Sequence, residues 1–363
     1  MTLSLLDKSI KILLVTLLTF ILLYYGKPFL VPFVIAALLA MLILPLSVKL
    51  ERKMKKALAI LISISVLLVA LSIIISVFAW QISDISDKAP QIQKNISEKI
   101  QELRTFATNS LGIPRQQQQK IIKEQQQSSS GKMSTLLTGV FTSFGSFLTN
   151  FIIVMVYIFL FLLYRNRFQQ FVLKQVPQQE QQNAKEIMHE VRQVAQKYLT
   201  GLSIMIVCLW ILYSIGFTIA GVDNAIFFAI LCGLLEIVPF VGNLIGVSFT
   251  LLMSLAQGGE TSMIIAILIT YAVVQFFQTY LLEPMVVGKN ISINPVFTIV
   301  GLVGGELLWG LPGMILALPI LGIIKIICDR IEPLKPYGFL IGDEKENEPT
   351  IVDKIKKMVT KKK

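Results

Sequence analysis

The sequence has 363 residues, of which 54% are hydrophobic and 15% charged, and its mean hydropathy is +0.71. Soluble chains carry about 25% charged residues, so this composition excludes an ordinary soluble domain and favours helices that face lipid. The net charge is +11, but Lys and Arg lie mainly in short loops beside apolar runs, which favours a membrane topology signal over nucleic-acid binding.

Three apolar runs near the N-terminus, at 12–26, 28–48 and 57–80, predict membrane-spanning helices. No small-residue cleavage site follows the first run, so we interpret it as a helix and not as a signal peptide. Residues 49–56 carry five positive side chains and one negative one. Loops this short and basic stay in the cytoplasm, so the N-terminus is expected there as well.

Residues 81–148 are polar and predict an extracytoplasmic helical segment. Apolar residues repeat there at three- and four-residue spacing, which is typical of a coiled-coil seam (Ile82, Ile85, Ala89, Ile92, Ile96, Ile100 and Leu103). A Gln- and Ser-rich linker follows this seam. A fourth span at 149–164 is expected to return to the cytoplasm, before an amphipathic helix at 178–200 that packs on the protein or lies at the membrane surface.

Two long apolar runs in the C-terminal half carry helix-breaking and charged residues near their middle, where a straight membrane helix would be apolar. The fifth span, 202–220, precedes the first run, 225–256, and a clean span at 262–282 precedes the second run, 295–328. Both runs contain Pro, Gly and one Glu in their middle, which predicts re-entrant helical hairpins. Two straight spans would place the basic C-terminal tail on the same side, so the loop charges alone leave both alternatives open.

A span followed by a hairpin thus occurs twice, and the two copies enter the membrane from opposite sides. This inverted-topology repeat is the organisation of many secondary transporters. The predicted fold class is an all-α polytopic membrane protein with such a repeat. Its divisions are N-terminal membrane helices, the extracytoplasmic helical segment, a fourth span with the amphipathic helix, a core with two hairpins and a basic cytoplasmic tail (1–80, 81–148, 149–200, 201–330 and 331–363).

Four polar residues of this core are candidates for binding an ion or a substrate. Glu236 and Glu306 are expected inside the bilayer, where an acidic residue costs about 2.5–3.5 kcal/mol and normally faces protein or water. A structural alternative is a carboxylate that caps a hairpin helix. Glu283, at the end of a span, could bind cargo, cap a helix or pair with Lys289. Asn243 is a candidate ligand, although a helix–helix hydrogen bond is the commoner role for such residues, as it is for Gln275 and Gln278.

Glycine and proline at the hairpin tips are expected to shape the site through the backbone. Glycine permits close approach or a turn, and proline leaves a carbonyl free to coordinate a cation. The residues expected in this role are Pro239, Gly242, Gly246, Gly310, Pro312 and Gly313. The single His189 and three dispersed Cys residues suggest no metal site, and no cofactor is expected. No hydrolase motif or phosphate-binding loop was found, so we expect neither an enzyme nor ATP hydrolysis.

Three motifs stand in the same half of the chain: Ile237-Val-Pro-Phe-Val-Gly-Asn-Leu-Ile-Gly246, Leu282-Glu-Pro-Met-Val-Val-Gly-Lys289 and the Gly-rich segment 304–319. They resemble, in order, the Pro-aromatic-x-Gly-x-x-x-Gly, Glu-Pro-x-x-x-Gly and C-terminal Gly-rich segments of the AI-2E family, the autoinducer-2 exporters. The order of hydrophobic segments is similar over nearly the whole chain, and the C-terminal half is the specific part.

The resemblance implies a multi-pass transporter of the bacterial inner membrane that forms a homo-oligomer, such as a pentamer. Family members are assigned either to export of the quorum-sensing signal autoinducer-2 or to sodium/proton antiport, and both remain alternatives here. The expected partners are the lipid bilayer, a small-molecule or ion cargo and further copies of the chain, without nucleic acid. A membrane scaffold assembled through residues 81–148 is a third alternative, although a scaffold has no use for two intramembrane carboxylates.

Overall fold

The computed structural model describes residues 5–87, 94–95, 129–238, 241–283 and 293–343. Within these ranges the backbone is helical almost throughout, and an isolated β-bridge joins Ile293 to Gly342. The longer helices, numbered here in chain order, are α1 (Leu5–Tyr25), α2 (Lys27–Glu51), α3 (Lys56–Asp87), α4 (Ser129–Lys174), α5 (Gln181–Ile219), α6 (Ala225–Leu235), α7 (Val241–Ala256), α8 (Thr261–Phe277), α9 (Pro295–Trp309), α10 (Leu311–Arg330) and α11 (Lys335–Ile341).

Six segments in the described ranges are long and apolar enough to cross a membrane. They are Lys27–Glu51, Lys56–Gln81, Asn150–Lys174, Gln178–Ile219, Thr261–Leu282 and Leu311–Arg330. Most of their large apolar side chains remain exposed on the surface of the chain, as lipid-facing helices require. The prediction of an all-α polytopic membrane protein is therefore confirmed.

The chain divides into two compact units. Unit 1 contains Met1–Leu68, Ile153–Met205 and Phe277–Lys363, and unit 2 contains Val69–Ile152 and Ile206–Phe276. The division of the sequence at 80, 148, 200 and 330 stays a prediction. Most of the predicted Ile seam of the extracytoplasmic segment lies outside the described residues.

The main apolar core of unit 1 lies between α2, α3 and α4. Small and branched side chains from the three helices form it (Ala36, Ala40, Ile43, Ile60, Ile64, Val154, Ile158 and Leu162). At one end of this core the Arg165 guanidinium donates to both carboxylate oxygens of Glu51, at 2.8 and 2.7 Å. Lys56 Nζ donates to the Leu163 carbonyl at 2.5 Å beside this pair. These contacts hold the basic loop after α2 against the C-terminal part of α4.

Helices α9 and α10 form an antiparallel helical hairpin within unit 1. Gly310, with φ +67°, separates the two helices. A Cβ on Gly313 would overlap the backbone carbonyl of Gly305, and a Cβ on Gly301 would overlap Leu321. The two helices are therefore in close contact both near the tip and further towards their outer ends. The indole nitrogen of Trp309 donates to the Leu23 carbonyl at 2.9 Å, which places the hairpin tip beside the end of α1.

Helix α5 combines two elements that the sequence predicts as separate, the amphipathic helix 178–200 and the span 202–220. Nothing between them ends a helix, because the single Gly201 costs about 1 kcal/mol relative to Ala. The apolar face predicted for its first half is covered or half-covered: Tyr198 is buried, and the other four residues are half-buried (Ala184, Ile187, Val191 and Val194). Ala195 is buried in a cluster with Leu38 and Leu316, and the Gln196 amide donates to the Met41 carbonyl at 2.9 Å. This half of α5 therefore packs on protein in unit 1.

In unit 2, α6 and α7 form a second antiparallel helical hairpin. A Cβ on Gly242 would overlap the Leu235 carbonyl, the Cβ of a residue at Gly246 would lie 3.0 Å from the Cys232 Cα, and the rings of Phe228 and Phe249 lie 6.1 Å apart. Both interrupted runs are thus broken into paired helices at the predicted tips. Whether the hairpins are re-entrant in a membrane stays a prediction.

Candidate functional site

The break between α6 and α7 carries the buried carboxylate of unit 2. Glu236 follows the last residue of α6, keeps a helical backbone, and donates its N–H to the Cys232 carbonyl at 3.1 Å. Glu236 is buried, with 6% of its surface exposed. Pro239, the proline predicted to open this tip, lies outside the described residues. The carboxylate therefore sits at a helix end, where the regular backbone ladder stops.

Two glycines allow the helices to approach closely beside this carboxylate. Gly242 lies against the Leu235 carbonyl, and Gly246 lies against the Cα and sulfur of Cys232, both 3.0 Å from the position of an added Cβ. A larger residue at either position would push the backbones apart. The result is a narrow helix pair whose polar groups face neighbouring helices of unit 2.

A chain of buried hydrogen bonds joins three helices at this level. The Tyr213 hydroxyl on α5 donates to Asn243 Oδ1 on α7 at 3.1 Å, and the Asn243 amide donates to Gln275 Oε1 on α8. Tyr213 is fully buried and Asn243 is 4% exposed. Since a buried hydroxyl or amide without a partner costs about 1–3 kcal/mol, this network fixes the tip of the α6–α7 pair against its neighbours.

A second polar contact lies one turn away along the same helix pair. The Cys232 sulfur is 3.7 Å from Thr250 Oγ1, and Thr250 donates to the Gly246 carbonyl at 2.9 Å. A hydroxyl, a thiol and an amide thus lie on the helices that adjoin the Glu236 break, within an otherwise apolar helix pair.

Comparison with known proteins identifies the family. A sequence profile described as "AI-2E family transporter" matches residues 12–332. The chain belongs to the AI-2E transporter family. A relative in Borreliella burgdorferi, named "Putative transport protein", is 30% identical over 148 residues, which are 40% of this chain and 41% of the relative. "Putative transport protein YrrI" of Bacillus subtilis is 26% identical over 130 residues, 36% of each chain.

A longer match covers "Putative transport protein BpOF4_00890" of Alkalihalophilus pseudofirmus, which is 22% identical over 243 residues, 65% of this chain and 60% of the relative. The chain thus spans about two fifths of the length of the first two relatives and three fifths of the third. Family and relatives agree on a membrane transport protein.

The second predicted carboxylate of this AI-2E protein lies in unit 1. Glu306 is on an exposed face of α9, next to Leu307, which is 69% exposed. Its backbone carbonyl accepts the Gly310 N–H at 2.7 Å, where α9 ends. Pro312 is in the first turn of α10 and Gly313 is buried against Gly305. The inverted repeat would bring Glu306 close to Glu236, but Glu236 belongs to unit 2, so that proximity stays a prediction.

Glu283 lies directly after the π-helical turn Gln278–Leu282 that follows α8. The buried Gln278 amide donates to Glu283 Oε1 at 3.5 Å, so a helix-terminal contact is present. Lys289, the suggested ion-pair partner, lies outside the described residues. Asn243 makes a helix–helix hydrogen bond, which is the structural role considered for it. Its role in binding an ion or a substrate stays a prediction.

Sequence reasoning did not select Tyr213, Cys232 or Thr250. Each lies in an apolar run, where tyrosine, cysteine and threonine are ordinary membrane residues. The available signal was the tyrosine, because a phenol in the middle of a span normally needs a hydrogen-bond partner. That partner, Asn243, had been selected for its position beside the predicted tip.

Proposed function

We propose that this AI-2E family member is a secondary transporter that exports a small polar solute, such as autoinducer-2, across the bacterial inner membrane. The observation that carries the proposal is Glu236, a buried carboxylate at the break of a helix pair. Carboxylates within membrane helices are costly and mark substrate or ion pathways, and helices broken in this way form the binding sites of many transporters. The family profile supports the transport class, and on the same ground we propose a non-enzymatic role.

Sodium/proton antiport is the second candidate, and Glu236 is the observation that favours it. A carboxylate in an apolar setting takes up a proton or a cation more readily than one in water, which is what exchange of one for the other needs. We propose Glu306 as the second ion-binding carboxylate. In the predicted inverted repeat, opposed tips come together, so at least one of the two carboxylates would hold a proton or a cation at neutral pH.

We propose a topology with both termini in the cytoplasm and residues 81–148 outside. The ion pair between Glu51 and Arg165 supports it, because it joins the basic loop after α2 to the end of the fourth span, and both are expected in the cytoplasm. The pair between Arg330 and Glu190 joins the end of α10 to the first half of α5 in the same way. Positive residues gathered on one side are typical of the cytoplasmic face.

We also propose that the protein assembles as a homo-oligomer, such as a pentamer. The exposed face of α9 supports this, because Glu306 lies there among apolar side chains such as Val303 and Leu307, which are 54% and 69% exposed. A carboxylate is not stable against lipid, so that face is expected to meet protein or water. The mass of the detergent-solubilised protein tests this directly.

Proteoliposomes test the transport proposal. Purified protein is reconstituted, and autoinducer-2 flux is compared with the change in internal pH that a sodium gradient drives. The variants are Glu236→Gln and Glu306→Gln, which keep the side-chain shape but remove the charge. Glu332→Gln is the matched control, because Glu332 is an exposed carboxylate that pairs with Lys335 at the surface.

Export of autoinducer-2 without sodium-linked pH change favours the first candidate, and the reverse favours antiport. In the first case Glu236→Gln should lose the pH dependence of export, and in the second it should lose the sodium-linked pH change, while the control keeps the wild-type behaviour. Wild-type dependence on pH and sodium in the double Gln variant would make both carboxylates structural. A Glu236→Gln protein that no longer folds in detergent would favour the capping role, since the helix end would have lost a charged partner.

A further inference from the structure

A polar cavity of about 540 Å³ lies in unit 2, away from the α6–α7 tip. It is bounded by the end of α5 and its turn to α6, and by the end of α7 and its turn to α8. Among its lining residues are Asp223, Ser254, Gln257, Glu260 and Ser262. The two turns lie at the outer ends of the α6–α7 hairpin, opposite the break that holds Glu236. The transport proposal makes no use of this cavity.

Ser254 lines the cavity, and its buried hydroxyl is unpartnered in the described part of the chain. The residue is 1% exposed, and its Oγ has no hydrogen-bond partner among the described residues. Helical hydroxyls commonly donate to the carbonyl four residues earlier, as Thr250 does on the same helix and Thr218 does on α5. Ser254 makes no such bond, so a change of its χ1 rotamer can turn the hydroxyl towards a molecule in the cavity without breaking a hydrogen bond.

Gln257 adds a donor and an acceptor beside that hydroxyl. Both its amide nitrogen and its amide oxygen are buried without a hydrogen-bond partner in the described part of the chain. The adjacent backbone is satisfied internally, since the Gly259 N–H donates to the Ser254 carbonyl at 2.8 Å. Each buried polar group left unpaired costs about 1–3 kcal/mol, so three such atoms beside one cavity call for an explanation, and a bound ligand supplies one.

The charge of the lining selects the ligand. Asp223 and Glu260 both line the cavity, and the described part of its lining includes no Lys, Arg or His. The Ser262 hydroxyl donates to Glu260 Oε2 at 3.4 Å, which holds that carboxylate near the rim. A cation is therefore favoured and an anion is repelled. The volume is far larger than one metal ion needs and lies in the range of small-molecule pockets.

We infer that this cavity binds a small organic amine that also carries a hydroxyl or carbonyl group. The protonated amine lies against Asp223 and Glu260, and the Gln257 amide and Ser254 hydroxyl bind the second polar group. The binding needs no gradient and no transport step. Its test in detergent solution is consequently independent of the proposed function.

The test uses three unbranched four-carbon compounds with polar groups at both ends: aminobutanol, butanediol and succinate. Binding to the full-length protein in detergent is measured by calorimetry and by the shift in melting temperature. Aminobutanol should bind saturably, while the neutral diol should bind at least tenfold more weakly and the dianion not at all. Equal binding of the diol, binding of succinate, or no saturable binding of aminobutanol overturns the inference.

Variants separate a binding role from a structural one. Asp223→Asn and Glu260→Gln should each weaken aminobutanol binding about tenfold, and Glu332→Gln, a surface carboxylate of unit 1, should leave it unchanged. Ser254→Ala removes an unpaired buried hydroxyl, so the unliganded protein should melt at the same or a higher temperature while affinity falls. A lower melting temperature with unchanged affinity for Ser254→Ala would show that the hydroxyl serves the fold, and would overturn its place in the site.

Discussion

Replacing Asn243 by Leu tests whether the Tyr213–Asn243–Gln275 network stabilises unit 2. Leucine has nearly the same shape, so packing changes little while two hydrogen bonds are lost. The Tyr213 hydroxyl is fully buried and would have no acceptor, which costs about 1–3 kcal/mol in general. Hydrogen bonds between membrane helices average about 0.6 kcal/mol and reach about 1.7 kcal/mol. We therefore expect the free energy of unfolding to fall by about 1–3 kcal/mol.

The assay is reversible unfolding in detergent micelles, followed by tryptophan fluorescence, on a double-mutant cycle. Tyr213→Phe alone leaves the Asn243 oxygen unpaired and should cost about 1 kcal/mol. The double variant should be less destabilised than the sum of the two by about 0.5–1.5 kcal/mol, because the two residues contact each other. Tyr337→Phe is the control, since Tyr337 is 60% exposed. Additive effects, or an Asn243→Leu protein as stable as wild type, would refute the network's structural role.

Two other expectations concern the fold. Gly313→Ala should destabilise the protein by about 1–3 kcal/mol, because its Cβ would meet the Gly305 carbonyl, which cannot move aside as a side chain would. Gly304→Ala is the control, since its Cβ would have nothing within 4 Å, and it should be neutral or stabilising. Thermal melting compares the two variants. The topology is tested in a variant without the native cysteines, into which a cysteine is introduced at Lys94 or at Lys185. The two cysteines should react with a membrane-impermeant maleimide from opposite faces of sealed cells. Reaction of both from one face would reject the proposed topology.

Hydrophobicity and helix-breaking residues were sufficient to predict the membrane fold. The breaks at Gly310 and after Glu236 follow from local chemistry, because Gly adopts positive φ and Pro removes a backbone donor. The continuity of α5 was not predicted, since the change from a polar to an apolar pattern near Gly201 resembles a boundary. Ala195 and Gln196 in its first half pack on α2, and such long-range contacts leave no local signal in the sequence.

The site was predictable only where an unusual residue type occurs in an apolar run. A glutamate such as Glu236 is conspicuous there, whereas Tyr213 and Thr250 are not. The hydrogen bonds of Asn243 depend on which helices meet at the hairpin, and that depends on the tertiary fold. The cavity near Ser254 was missed for the same reason, because its polar residues lie at ordinary helix ends and turns, where serine, glutamine and aspartate are common.

The contact between Gly305 and Gly313 has a mechanical consequence for the α9–α10 hairpin. Where two helices meet through side chains, a change of rotamer lets one slide past the other. Here backbone meets backbone next to a two-helix turn, so the contact has no rotatable group that could absorb a shift. If this hairpin moves during a transport cycle, α9 and α10 are therefore expected to move as one rigid body, together with the end of α1 that the Trp309–Leu23 hydrogen bond holds.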